Sequence, residues 1–318
     1  MTGYRGRFAP SPTGELHLGS AVAAVFCAAA AMQARGTLIL RVEDIDTPRV
    51  VPGQTARIIE DLDWIGLRFH EGPGLGGSVG PYVQSERQTQ YAAAIDQLAA
   101  RGLAYLCDCS RAEIARVASA PHAGDEGPRY PGTCREFGMQ PRAFRRPPAV
   151  RLAVPQDERA IVMTNDLVLG AHEENVFDVT GDFVLRRGDG IYAYQLAVVV
   201  DDLAMGITDV VRGADLATSS ARQRLLAQLL EGLPVRFAHV PLLVADDGRR
   251  LAKRDGGMTI REHREVGRDA RALVRAIACA YRHDVRDAGE PLEALAEMLQ
   301  WSKLPREPVR VGTILRAL

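Results

Sequence analysis

The chain has 318 residues, 47% hydrophobic and 25% charged, enough apolar material for one to three domains with a substantial core. A net charge of -1 excludes a bulk polyanion binder, so any nucleic-acid surface has to be a local patch. The longest apolar run, Ala21–Met32, falls short of the about 20 residues that span a bilayer, and Pro10, Pro12, Glu15 and His17 interrupt a signal-peptide reading; a cytoplasmic protein with no membrane partner is expected.

In chain order, Tyr4–Phe8 reads as a strand, Ala9–Glu15 as a Pro- and Gly-rich loop, and the alanine-rich Leu18–Ala34 as a helix that Gly36 stops. Thr37–Val42 is a second strand, apolar enough to be buried on both faces. Strand, loop, helix and strand make the βαβ unit of an α/β fold with a doubly wound parallel sheet. Thr55–Ile65 is a further helix. Gly72, Gly74 and Gly77 spell G-x-G-x-x-G, but Val79-Gly80-Pro81 follow where a helix would have to open, so this is a connector. Arg87–Arg101 is an amphipathic helix, and Cys107–Pro155 is irregular and reads as an insertion. Strands resume at Asp182–Leu185 and Ile191–Tyr194. Leu196–Val200 and Asp209–Val211 continue the alternation, Thr218–Leu230 is a helix, and the sequence after Lys253 is mostly helical.

The loop after the first strand is where an open α/β sheet binds nucleotides. His17 stands at the start of the following helix, where free N–H groups and the positive dipole end attract phosphate, and Gly19 permits close backbone approach. A second cationic loop, Arg249-Arg250-Leu251-Ala252-Lys253-Arg254, follows a turn at Asp246-Asp247-Gly248. Alone it reads as a solvated surface. Paired with the first loop it reads as a clamp on a triphosphate, whose cations stabilise charge on the departing pyrophosphate.

The run P-S-P-T-G-E-L-H-L-G-S from Pro10 to Ser20 resembles the HIGH signature of class I aminoacyl-tRNA synthetases, and R-L-A-K-R from Arg250 to Arg254 resembles their KMSKS loop. R-F-A-P-S-P-T-G at Arg7–Gly14, R-V-E-D-I-D at Arg41–Asp46, the segment Tyr192–Asp202 and D-V-V-R-G-A-D-L at Asp209–Leu216 are similar to the glutamyl and glutaminyl branch. The resemblance implies a Rossmann-type catalytic domain split as 1–80 and 166–240, an insertion at 81–165, and a KMSKS-like loop with a helical, stem-contact-like region at 241–318. It implies that His17 and Lys253 are catalytic. ATP, with Mg2+, would be bound by Pro10, Ser11, Pro12, Thr13, Gly14, His17, Gly19, Ser20, Arg250, Leu251, Ala252, Lys253 and Arg254. Two positions depart from the KMSKS pattern: Arg250 replaces a lysine, and Ala252 replaces a serine and lacks its hydroxyl.

A glutamate site needs cations for two carboxylates and an acceptor for the ammonium, and Arg7, Arg212 and Glu43 supply that inventory. The resemblance implies a pocket of Arg7, Phe8, Ala9, Pro10, Ser11, Glu43, Tyr194 and Arg212. Val198 stands where glutamyl members carry Asn, which makes the pocket drier.

Cys107, Cys109 and Cys134 offer three soft ligands from two loops, and His122 is the residue-based choice for the fourth zinc ligand. C-x-C followed by Y-P-G-T-C resembles the zinc insert of the glutamyl-queuosine tRNA(Asp) synthetases, which implies Tyr130 as the fourth ligand of a structural zinc. The short sequence after the second loop and Val198 fit the same branch, whose members transfer glutamate to queuosine in tRNA(Asp). The alternatives are a glutamyl-tRNA synthetase charging a 3′ end, a non-catalytic RNA-binding paralogue, and a small-molecule adenylate ligase. Arg142, Arg145, Arg146 and Arg151 form one candidate RNA surface, and Arg249, Arg250, Lys253 and Arg254 another.

Overall fold

The structure, a computed structural model, describes residues 3–117, 129–249, 251 and 258–318. β1 (Arg5–Phe8) and β2 (Thr37–Leu40) run parallel with Arg5 opposite Thr37, and α1 (Leu18–Gln33) crosses between them. α2 (Gln54–Trp64) and α3 (Gln88–Ala100) follow. β3 (Ala104–Cys107), α4 (Arg111–Val117) and β4 (Ala149–Leu152) belong to the expected insertion, so that segment is not irregular throughout. β4 pairs antiparallel with β3 and with β7 (Val184–Arg186), giving a small three-stranded sheet.

The main sheet has six strands in the order β2-β1-β8-β9-β5-β6, with β8 Asp209–Gly213, β9 Arg236–Val240, β5 Ile161–Asp166 and β6 Gly170–Asn175. All its pairings are parallel except β5 with β6. The chain leaves β1 toward β2 on one side and later returns to β8 on the other. The crevice at the carboxyl ends of β1 and β8 is therefore a topological switch point, the place where open α/β sheets bind ligands.

Both faces of the sheet are covered. Leu38 and Leu40 join α1, α2, α9 (Ala270–Ala280) and α10 (Pro291–Met298) in one core, while Ile39, Val210 and Phe237 point to the other side. α1 is buried over most of its surface, as a helix apolar all round must be. Its alanines let the sheet and α10 approach closely, and Gln33 Nε2 donates to Leu299 O at 2.9 Å. A second core is built from α3, α5 (Val176–Val179), α6 (Tyr194–Ala204) and α7 (Ser220–Leu229). α8 (Ile260–Glu265) and α11 (Val311–Leu315) complete the helical C-terminal part.

One expectation is corrected. Ile191–Tyr194 is not a strand: Tyr192 makes a single bridge to Arg186, and Tyr194 opens α6. The β-branched run Val198–Val200 stays helical because it is buried in the second core, and packing overrides propensity. The hairpin β5–β6 was not expected, although Val162 and Thr164 turn inward while Ile161 and Met163 face out, a period of two.

Candidate active site and metal cluster

Arg7 lies on β1 and Arg212 on β8, both 4% exposed. Glu43 N donates to Pro10 O at 3.0 Å, which fixes Glu43 beside the loop leaving β1. Its carboxylate lies 3.2 Å from Arg41 Nη2; burial pushes its carboxyl above the ordinary range, against the pull of Arg41 and Arg7. Burial likewise raises the Tyr194 phenol, which lies close enough to Arg212, Glu43 and Arg7 to feel their charges. The structure thus brings Arg7, Glu43, Tyr194 and Arg212 together. Tyr194, Val198 and Asp202 are spaced at i, i+4 and i+8 along α6 and share one face. Phe8 belongs to the core, so its side chain is turned from the crevice toward α1.

The two arginines differ in what holds them. Asp202 Oδ1 accepts from Arg7 Nε at 3.2 Å and from Arg41 Nη1 at 2.7 Å. Burial opposes ionisation of Asp202, but Arg7 and Arg41 hold its pKa below the usual value. Arg212 has neutral partners instead: His239 Nε2 at 2.9 Å, Gln223 Oε1 at 2.7 Å, Ser220 Oγ at 3.0 Å and Leu216 O at 3.1 Å. Among the described residues no carboxylate lies within 4.0 Å of its nitrogens, and burial lowers its pKa. A buried guanidinium without a carboxylate is a site for an incoming anion.

His17 caps α1, its Nδ1 accepting the Ser20 N–H at 3.1 Å. A Cβ at position 19 would come within 3.2 Å of that nitrogen, so Gly19 makes room for the imidazole. Ser11, Thr13 and Gly14 are exposed, Pro12 is buried, and Ala9, Pro10 and Ser20 are half-buried. Ile260 N donates to Leu16 O at 2.8 Å and His17 bridges Thr259, which stitches the chain after the second loop to the first. Leu251 packs against the core around α1. Arg250, Ala252, Lys253 and Arg254 lie outside the described residues, as does His122.

In the insertion the sulfurs of Cys107, Cys109 and Cys134 all lie within 4.8 Å of one another and can hold a metal ion. Cys109 and Cys134 are 3.6 Å apart, and Tyr130 Oη lies 3.4 Å from Cys107 Sγ and 3.5 Å from Cys109 Sγ. The Cys134 N–H donates to the same oxygen at 3.0 Å. Arg151 is not a surface residue: it lies buried over the Tyr130 ring at 4.0 Å and donates to Asp182 O, because both faces of β4 are covered and Tyr130 packs on the one that carries it. Arg142 and Arg145 pair with Asp108, and Arg145 and Arg146 with Glu113, which offsets much of the charge of that patch.

The family described as tRNA synthetases class I (E and Q), catalytic domain, matches residues 4–289. The chain belongs to this family. It is therefore a synthetase-type ligase built on the class I catalytic domain. A Glutamyl-Q tRNA(Asp) synthetase of Symbiobacterium thermophilum is 45% identical over 314 residues, 96% of this chain and 95% of that protein. One of Nitratidesulfovibrio vulgaris is 48% identical over 267 residues, 83% and 82% of the two chains. The solved glutamate-tRNA synthetase of Elizabethkingia anophelis superposes with a TM-score of 0.82 at 28% identity, covering 99% of this chain and 70% of that one. The cluster around Arg7 and Arg212 also contains residues that sequence reasoning gave no role: Arg41, Asp202, Gln223 and His239. For two of them a local signal existed. Arg41 stands two residues before Glu43, and Asp202 two turns after Tyr194.

Proposed function

We propose that the chain activates L-glutamate with ATP as glutamyl-adenylate and passes the glutamate to the queuosine base at the wobble position of tRNA(Asp). The carrying observation is Arg212, a buried cation with neutral partners, beside Arg7, Glu43 and Tyr194. A dicarboxylate with one ammonium fits that set: Arg7 and Arg212 take the carboxylates, Glu43 takes the α-ammonium, and Tyr194 donates its hydroxyl. One oxygen of the α-carboxylate attacks the α-phosphorus of ATP, the bond to the β-phosphate oxygen breaks, and pyrophosphate leaves with the electron pair. His17 and Lys253 stabilise the negative charge that develops on the phosphoryl oxygens. A hydroxyl of the cyclopentene ring of queuosine then attacks the adenylate carbonyl, loses its proton, and AMP departs, leaving an ester.

The cysteine cluster fits a structural zinc. With Zn–S of about 2.3 Å and Zn–O of about 2.0 Å, a tetrahedral site has S···S edges of roughly 3.8 Å and S···O edges of roughly 3.5 Å. The spacings of 3.6 Å between Cys109 and Cys134, and of 3.4 and 3.5 Å from Tyr130 Oη to Cys107 and Cys109, match those edges. Cys107, Cys109, Tyr130 and Cys134 would close the coordination sphere, and zinc would supply cross-linking of the two loops rather than chemistry.

The choice of acceptor is supported by the relatives named Glutamyl-Q tRNA(Asp) synthetase, matched over 82% and 95% of their length. A second reading, charging of a tRNA 3′ end, is favoured by 39% identity to Glutamate--tRNA ligase 2 of Nitrosococcus oceani, of which 66% is covered. Labelled glutamate offered with tRNA(Asp) carrying guanine or queuosine at the wobble position decides between them. Label should enter only the queuosine form and be released by mild alkali. Equal labelling of both, or label on the terminal adenosine of tRNA(Glu), would overturn the assignment.

A further inference from the structure

Behind Arg212 runs a buried chain of polar groups that the activation step above leaves without a task. Arg212 Nε donates to His239 Nε2 at 2.9 Å, and His239 Nδ1 lies 2.6 Å from Asp166 Oδ2. His239 stands on β9 and is 1% exposed. Asp166 ends β5, and its Oδ1 accepts the backbone N–H groups of Val168 at 2.8 Å and Leu169 at 2.7 Å in the turn to β6. Its Oδ2 also accepts the His239 backbone N–H at 3.2 Å.

The protons in this chain can be assigned by elimination. A guanidinium only donates, so His239 Nε2 has to present a lone pair, and the single ring proton of the neutral imidazole sits on Nδ1, donated to Asp166. Burial pushes the imidazole pKa down; Asp166 opposes that and Arg212 adds to it, so the ring is neutral. The charged groups acting on the ring are Asp166, Arg212 and Asp215, and Phe237 stacks against it at 5.6 Å. Arg212 Nη2 is engaged by Leu216 and Ser220, and Nη1 donates to Gln223, which leaves one Nη1 hydrogen without a protein partner among the described residues.

We propose that Asp166 and His239 are positioning residues for substrate selection: Asp166 fixes the Nδ1–H tautomer of His239, and His239 holds Arg212 by its Nε–H so that the remaining Nη1–H meets a glutamate carboxylate. This role rests on the reading of the pocket as a glutamate site. It also gives the β5–β6 hairpin a purpose, since its turn delivers the carboxylate that sets the tautomer.

The isosteric Asp166→Asn variant tests it. The side-chain oxygen must still accept from Val168 and Leu169, so the NH2 group faces His239 Nδ1 and forces the ring proton onto Nε2, where it meets the Arg212 Nε–H. In protein labelled with 15N-histidine, the His239 tautomer should switch from Nδ1–H to Nε2–H. In pyrophosphate exchange the KM for glutamate should rise roughly ten- to a hundredfold, as for loss of a hydrogen bond to a charged group, with the KM for ATP as in the parent. His239→Phe should match it, whereas His239→Gln, which offers Arg212 an oxygen, should recover most of the loss; this pair decides the matter if Asp166→Asn fails to fold. Parental glutamate KM in His239→Phe, or equal rises for glutamate and ATP, would overturn the proposal. A parent without glutamate-dependent exchange would sink the pocket reading and this role with it. A parent with normal exchange but an Nε2–H imidazole would sink the relay alone.

Discussion

Around Asp201 and Asp202, charge meets charge inside the main fold; around Cys107, Cys109 and Cys134, three thiols and a phenol face one another, Cys109 packing at the edge of a cluster of five buried residues. Asp201 accepts from Arg87 at 2.6 Å, Gln84 at 2.9 Å and Tyr91 at 3.0 Å, and Asp202 from Arg41 and Arg7. These groups belong to β1, α3 and α6 or lie close to β2 and α3, so the sheet and its helices set their geometry before any ligand arrives. The insertion has Tyr105, Cys107, Ile114, Tyr130 and Cys134 as its own small core. A region that small gains little from burial, and an external bond is the economical way to hold it. The pocket is thus preorganised by the protein, whereas on the proposed reading the cysteine cluster would be set by the metal it holds.

Four measurements sharpen or break that contrast. Arg212→Ala should lose about 2–5 kcal/mol of transition-state stabilisation for glutamate, seen in kcat/KM for pyrophosphate exchange, while its zinc content stays that of the parent. A parental kcat/KM would place Arg212 outside the pocket. Asp201→Asn should lower unfolding stability by about 3–5 kcal/mol in urea, because Arg87 is left buried without a carboxylate while Arg41 keeps only Asp202 and Glu43; a shift below 1 kcal/mol would mean that the hub is as dispensable as a surface pair. Cys134→Ser should release about one zinc per chain and lower the melting temperature while leaving the glutamate KM unchanged. A parallel loss of glutamate binding would show that the two regions are not independent. The smallest effect belongs to Thr259→Ala. Thr259 and Glu262 form a capping box at the start of α8, and its loss should cost about 1 kcal/mol by thermal melting, with zinc binding untouched.

What could be read from the sequence follows from distance along the chain. The strand, loop and helix that carry Arg7 and His17 are contiguous, and the cysteine spacing is local, so both were legible. The counter-charges were not, since Arg41 and Arg7 meet Asp202 across separations of 161 and 195 residues. His239 and Gln223 were missed for a different reason: they stand only 27 and 11 residues after Arg212 but belong to no recognised motif, and only the parallel pairing of β8 with β9, and the packing of α7, bring them to it. Arg151 was misjudged because a basic residue in a Pro- and Arg-rich stretch looks solvated until the fold packs it onto Tyr130.

α1 also has a mechanical meaning. At 1.5 Å per residue its 16 residues make a stiff rod of about 24 Å, wedged between the sheet and the C-terminal layer. Its far end is fastened to that layer through Gln33 and Leu299, and its middle through Phe26, which packs on Tyr281 at 5.4 Å and on Trp301 at 6.4 Å. Its near end carries His17. A rod held in this way is a lever: a bulkier side chain at the buried Ala30 or Ala31 would push it aside. The displacement would emerge at the opposite end, so a packing change remote from the crevice would register as slower activation of the amino acid.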